Sequence, residues 1–179
     1  MATTCPISKA DVKLHLRVDH TDDDDLIEQI MLAATEWAEN YQRRTYITRS
    51  RTYYLDEFPE VFRPPFSPLV TITSIKYYDT DGVQQTLDSA QYRVDTATEP
   101  GRVTEAYNCN WPDIRSMTNA IEVIYTSGYG AAGDVPDDIK AALKMLIAHL
   151  YEDRQAVIDK NLYEVPLGVK TLLTMRRMI

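Results

Sequence analysis

The chain has 179 residues, enough for one domain or a domain with a small subdomain, and 44% of them are hydrophobic, which excludes disorder for its body. A net charge of -8, from 19 Lys+Arg against 27 Asp+Glu, argues against a protein that grips nucleic-acid phosphates, though not against one that lets DNA pass. Cys5 and Cys109 are the only cysteines, too few and too far apart for a disulfide scaffold or a paired-cysteine zinc site.

No apolar run approaches the ~18 residues of a membrane span. The N-terminus lacks the basic and then apolar pattern of a secretion signal, so synthesis and assembly in the cytoplasm are expected. Twelve tyrosines against three phenylalanines suit half-buried sheet faces and subunit contacts, because Tyr joins an apolar ring to a polar tip.

In chain order, Ser8 with Asp11 three residues later announces a first helix. The hydroxyl accepts from the third amide and the carboxylate reaches back to the cap's own N–H. Val12, Leu14 and Leu16 follow, and this helix ends near Arg17. Asp22 to Asp25 open a longer one. Leu26, Ile27, Ile30, Met31, Ala34, Trp37, Ala38 and Tyr41 recur at the helical period and define its buried face, with Glu28, Gln29, Glu36 and Glu39 opposite. It ends near Arg43.

The middle reads as β. Residues 46–55 form a strand rich in Thr, Tyr and Arg. Pro59, Pro64, Pro65 and Pro68 then forbid a central strand or a helix, leaving an extended crossing segment. Residues 69–78 are the clearest strand. Asp79-Thr80-Asp81-Gly82 turns it back, with 83–87 as its hairpin partner. Residues 92–95, 102–105 and 120–126 give further strands, with a turn at Pro100-Gly101 between the first two.

Gly128-Tyr129-Gly130 ends the sheet and helix returns. Asp134 can cap, Pro136 suits a first turn, and Asp137 and Asp138 favour the positive helix end. Ile139, Leu143, Leu146, Ile147 and Leu150 make a buried stripe running to about Gln155. Residues 156–166 read as a linker, and 167–178 as a last amphipathic helix with Val169, Leu172 and Leu173 on one side. The fold class is α+β: a helical bundle from the N- and C-terminal helices (1–45 and 128–179) with a central antiparallel β subdomain (46–127) inserted.

Few constellations carry chemistry. The run Asp19-His20-Thr21-Asp22-Asp23-Asp24-Asp25 crowds metal-type ligands, but a calcium loop needs alternate carboxylates, a sixth-position Gly and a twelfth-position Glu. A helix N-terminus with surplus favourable charge is the better reading. His15, His20 and His149 form no metal pattern, and no nucleophile elbow, phosphate loop or paired-histidine zinc motif occurs. The glycines of 128–133 lack the Lys and Ser/Thr of a phosphate cradle. No catalytic residue, metal or cofactor is expected. Arg43, Arg44, Arg49 and Arg51, and later Lys170, Arg176 and Arg177, are short basic clusters in an acidic chain, better suited to ion pairing than to nucleic acid.

The ordered set of features resembles the tailed-phage head–tail connector (adaptor) proteins. It comprises Ser8 to Asp19 leading through an acidic run into an Ala-rich helix, then Tyr46-Ile47-Thr48, and then the proline-flanked strand from Pro68 to Ile75. Tyr92-Arg93-Val94-Asp95, Glu99-Pro100-Gly101-Arg102, Ser127-Gly128-Tyr129-Gly130, Val135 to Lys140 and Glu164 to Leu173 follow in turn. The likeness spans nearly the whole chain. It implies a subunit of a homo-oligomeric ring, a dodecamer, made in the host cytoplasm and located in the virion neck. Such a ring binds beneath the portal protein after DNA packaging, extends the DNA channel and docks the next neck, stopper or tail component. DNA passes through it without sequence-specific binding. The helices are implied to form the ring body and the C-terminal segment, here 165–179, to engage the portal; the family has no catalytic residues. A stopper or tail terminator is the alternative, disfavoured by the strong terminal helices, and a small metal-dependent enzyme using the Asp run is a remoter one.

Two site expectations follow. A ring needs unlike patches meeting on successive copies. Asp22, Asp23, Asp24 and Asp25 against Arg43, Arg44, Arg49 and Arg51 would supply such a pair. The last helix, short and marginal alone in water, is expected to order on the portal. Leu172 and Leu173 would anchor it, beside Leu167 and Lys170, with Arg176 and Arg177 as rim charges.

Overall fold

A computed structural model describes residues 4–152 and 166–178. The chain divides into two compact units, one over Thr48–Gly128 and the other built from the described residues on either side of it.

The flanking unit is helical. In α1 (Lys9–Leu16) the Ser8 hydroxyl accepts from the Asp11 amide at 3.1 Å, as the cap requires. The return contact differs from expectation, since Ser8 Oγ donates to Asp11 Oδ2 at 2.6 Å. Arg17, at φ 58°, turns left-handed and ends the helix. Only Val12 of its apolar residues is fully buried, and Leu14 is 79% exposed.

The long helix α2 (Asp24–Gln42) buries Ile27, Met31, Ala34 and Ala38, the core of the predicted stripe. The structure moves two boundaries of that stripe. Glu39, expected on the wet face, is buried and its Oε1 accepts from the Tyr46 amide at 2.8 Å. Trp37, expected in the core, lies at its margin, stacked on Tyr41 with centroids 5.2 Å apart. Tyr46 is fully buried in the helical core and does not open a strand; that strand begins at Arg49.

Helix α3 (Asp137–Glu152) buries Ile139, Leu143, Leu146 and Ile147, while Leu150 is exposed. Pro136 stands just before the helix, its carbonyl accepting from the Ile139 and Lys140 amides. Asp134 caps a short 3-10 turn (Ala132–Asp134), accepting from the Ala131 amide at 2.8 Å, and so serves the turn before α3. The expected helix end near Gln155 and the linker lie outside the described residues, Pro166 excepted. Helix α4 (Leu167–Thr174) follows, and its Val169 and Leu173 join the core of Val12, Ile27, Leu143 and Ile147.

The β unit holds two antiparallel sheets. One has the order β1 (Arg49–Leu55), β7 (Ile121–Ser127), β3 (Leu69–Tyr78), β4 (Gln84–Thr86); the other has β2 (Val61–Phe62), β6 (Arg102–Glu105), β5 (Tyr92–Asp95). Central β7 alternates buried Ile121, Val123 and Tyr125 with half-buried neighbours, the period-2 pattern of a sheet with one dry face. The proline-rich segment contributes only the two-residue edge strand β2, as a chain short of N–H donors must. Trp111 stacks on Phe58 at 4.7 Å and donates its indole N–H to the Pro59 carbonyl at 3.1 Å. Gly82, at φ 82°, makes the hairpin turn, where Asp79 Oδ1 accepts from the Asp81 and Val83 amides.

Gly101 is needed for a different reason. A Cβ there would lie 2.6 Å from the Leu69 Cβ. Gly101→Ala is therefore expected to lower unfolding free energy by about 1–3 kcal/mol, as overpacking does. Chemical denaturation checks this, and an unchanged midpoint contradicts it.

Candidate assembly surfaces

The acidic run is partly consumed within its own chain. Asp24, in the first turn of α2, pairs with Lys13 at 2.6 Å and Lys9 at 3.3 Å, and Lys9 also reaches Glu28 at 2.7 Å. The hydrogen bond from Lys13, then that from Lys9, holds the Asp24 carboxyl below its ordinary range. Glu28 first, and Asp24 next, raises the Lys9 ammonium above its own. Asp23 makes no side-chain cap bond; its Oδ2 accepts from the Tyr151 hydroxyl at 2.5 Å. Asp22 and Asp25 are exposed. Lys9 and Lys13, four apart on α1 and so on one face, are the signal in the sequence from which this clamp could have been found.

The basic cluster is divided between the units. Arg43 caps α2 at φ 53° and is exposed. Arg44 is no surface charge: it is 5% exposed, donates from Nε to the Arg176 carbonyl at 2.5 Å, and meets Met178 Sδ at 3.3 Å. Its expected place in a contact patch is corrected accordingly, because the left-handed turn at Arg43 swings it inward. Arg49 and Arg51 lie half-buried on β1, with the Arg51 guanidinium 3.7 Å from the centroid of the Phe66 ring. Beside them burial pushes the Tyr125 hydroxyl up to about 12, against an opposing pull from Arg51.

The C-terminal helix is also corrected. Expected to await a partner, it instead packs on its own unit, with Leu173 fully buried in the core and Leu172 half-buried against it. Gln42 Nε2 donates to the Leu173 carbonyl at 2.7 Å, and the Met178 amide donates to the Gln42 carbonyl at 3.0 Å. Arg176 pairs with Asp138 at 2.7 Å, which raises its pKa above the usual guanidinium value. Arg177 sits 4.7 Å over the Tyr41 ring. Lys170 is half-buried, while Leu167, at 80% exposure, projects outward.

Among the described residues no group of three His, Cys, Asp or Glu is placed to hold a metal ion. No helix among them is long and apolar enough to cross a membrane. What the geometry offers is surface, with charged and apolar groups displayed on each of the two units.

The fold is shared with chains of gene transfer agent particles. The chain matches a structure of the neck of an empty gene transfer agent particle, computed with C6 symmetry, at a TM-score of 0.81 and 23% identity, covering 97% of this chain and 90% of the other. A chain from the virion of a native gene transfer agent particle matches at 0.81 and 23% identity, over 99% and 93%. One from the neck of the native particle, computed with C12 symmetry, matches at 0.74 and 25% identity, over 95% and 87%. No curated protein matches by sequence. The family model described as head completion protein matches residues 7–163, and the chain belongs to that family. This bears out the resemblance to head–tail connectors and the α+β fold class.

The Asp24 clamp has a pH signature. A carboxylate whose folded pKa is depressed adds stability above its unfolded pKa of about 3.9, and that stability is lost as pH falls through the lower folded value. Asp24→Asn is therefore expected to lower the melting temperature at neutral pH and to flatten its fall between about pH 5 and pH 2. Thermal denaturation across that range checks it; an unaltered profile contradicts the clamp.

Proposed function

We propose that this chain is a structural subunit of the virion neck. It forms a ring beneath the portal, continues the DNA channel and offers a docking face to the next neck or tail component. The observation that carries this reading is the family match over residues 7–163, joined to a whole-chain fold likeness to particle necks computed with sixfold and twelvefold symmetry. A rotationally symmetric ring needs unlike surfaces that meet on successive copies. Among the described residues the exposed carboxylates Asp22 and Asp25 and the exposed Arg43 are candidates for it.

The rest of the chemistry agrees. A net charge of -8 lets DNA slide past a wall that does not hold phosphates. Catalysis has no part in this role. With α4 fixed on its own subunit, the portal would be met by side chains that remain outward, Leu167 and Arg177 among them, and not by the buried Leu173.

Electron microscopy of the purified chain, alone and with portal-bearing heads, tests the proposal. Rings, and added density at the portal vertex, are expected. Heads that bind none of the protein, and a phage that builds normal virions without its gene, would contradict it.

A further inference from the structure

Among the described residues the four-stranded sheet of the β unit ends in two unlike edges, β1 and β4, neither paired with a further strand. Sheet edges invite pairing, and proteins usually blunt them by shortness, proline, bulges or charge. The smaller sheet follows that rule, with edges of two residues (β2) and four (β5). Strand β1 does not. Its seven residues pair with β7 in unbroken register, without proline or bulge, and its second half, Thr52-Tyr53-Tyr54-Leu55, carries no charge.

At the opposite edge Gln84, Gln85 and Thr86 are all exposed, as is Val83 just before them. The face of the sheet away from its core carries a polar row running from edge to edge. Tyr54 stands opposite Glu122, Glu122 opposite Lys76, and Lys76 opposite Thr86. The Tyr54 hydroxyl lies 3.4 Å from Glu122 and Lys76 lies 3.8 Å from it. This row ends in a hydroxyl at each side, at Tyr54 and at Thr86.

Strand parity admits a second copy as the occupant, and the polar row favours β1 beside β4. In a sheet of four antiparallel strands the two edges run in opposite directions. Rotating a second copy about an axis along the strands therefore brings its β1 beside β4 of the first, still antiparallel. The hydrogen-bond pattern continues without change of type, and the polar row continues with it. A twofold partner would instead join β1 to β1, placing Arg49 and Arg51 of both copies in one seam.

We propose that the β1 edge of one subunit pairs with the β4 edge of the next, so that a sheet seam sets the register between neighbouring copies in the ring. This rests on the ring proposed as the protein's function and names one of its contacts. With only three residues in β4 the seam fixes orientation and does not supply the whole interface.

The test is oxidative cross-linking of the full chain with Cys5 and Cys109 changed to Ser. Thr86→Cys is combined with Tyr54→Cys or with Thr52→Cys, both on the same exposed face, and electron microscopy of the parent follows ring formation. A covalent ladder beyond the dimer is expected from at least one pair, with none from any single cysteine. If a variant unfolds, Gln84→Cys replaces Thr86→Cys. Rings in the microscope without a ladder from either pair, or dimers from Tyr54→Cys or Thr52→Cys alone, overturn the seam and leave the ring standing. Absence of rings in the parent, both alone and on portal-bearing heads, overturns both.

Discussion

The helical unit depends on a knot of buried polar groups where α2 ends. Glu39, Gln42, Arg44 and Tyr46 are all withdrawn from water, and each finds a partner within the unit. Leaving one such group unsatisfied costs about 1–3 kcal/mol, so the knot admits few alternative arrangements. Burial, with the charge of Glu39 next, pushes the Tyr46 hydroxyl above its ordinary pKa, so it stays protonated and can donate to Gln42 Oε1 at 2.7 Å. Gln42 then has its amide nitrogen and backbone carbonyl available for the end of the chain. Helix α4 is held by that pair of bonds and by Arg44, in addition to its two buried apolar residues.

This placement changes how the surfaces of a neck subunit are supplied. A helix that ordered only on its partner would spend part of the binding energy on its own folding. Here α4 is folded beforehand, and Leu167, Met175 and Arg177 are displayed on a fixed support. The acidic start of α2 is treated similarly, since Lys9 and Lys13 hold Asp24 while Asp22 and Asp25 remain at the surface. In the proposed docking role, contacts made by such prearranged groups would depend on the shape and charge of the partner more than on induced order.

The sequence makes the periodic elements legible and leaves the polar interior illegible. Strand β3, the hairpin turn at Gly82 and the stripe Ile27, Met31, Ala34, Ala38 follow directly from side-chain period and turn chemistry, which are local. Glu39, Arg44 and Tyr46 escape such a pattern, because their burial depends on a knot that closes only when the chain end returns. Arg44 meets Arg176 from 132 positions away, a contact that no local period records. Leu150 fails for the opposite reason: the helical period places it with the stripe, yet its side chain stays at the surface. The family resemblance read from the sequence rests on the order of caps, turns and prolines along the chain, none of which is specific alone.

Hydrogen exchange of the isolated subunit tests most directly whether α4 belongs to the folded unit. Amides of residues 169–178 are expected to be protected in the wild-type protein without any partner, and to lose that protection selectively in Gln42→Ala while those of β7 keep theirs. Exchange at unprotected rates in the wild type would show a terminal helix that waits for its partner, and would contradict a prefolded α4.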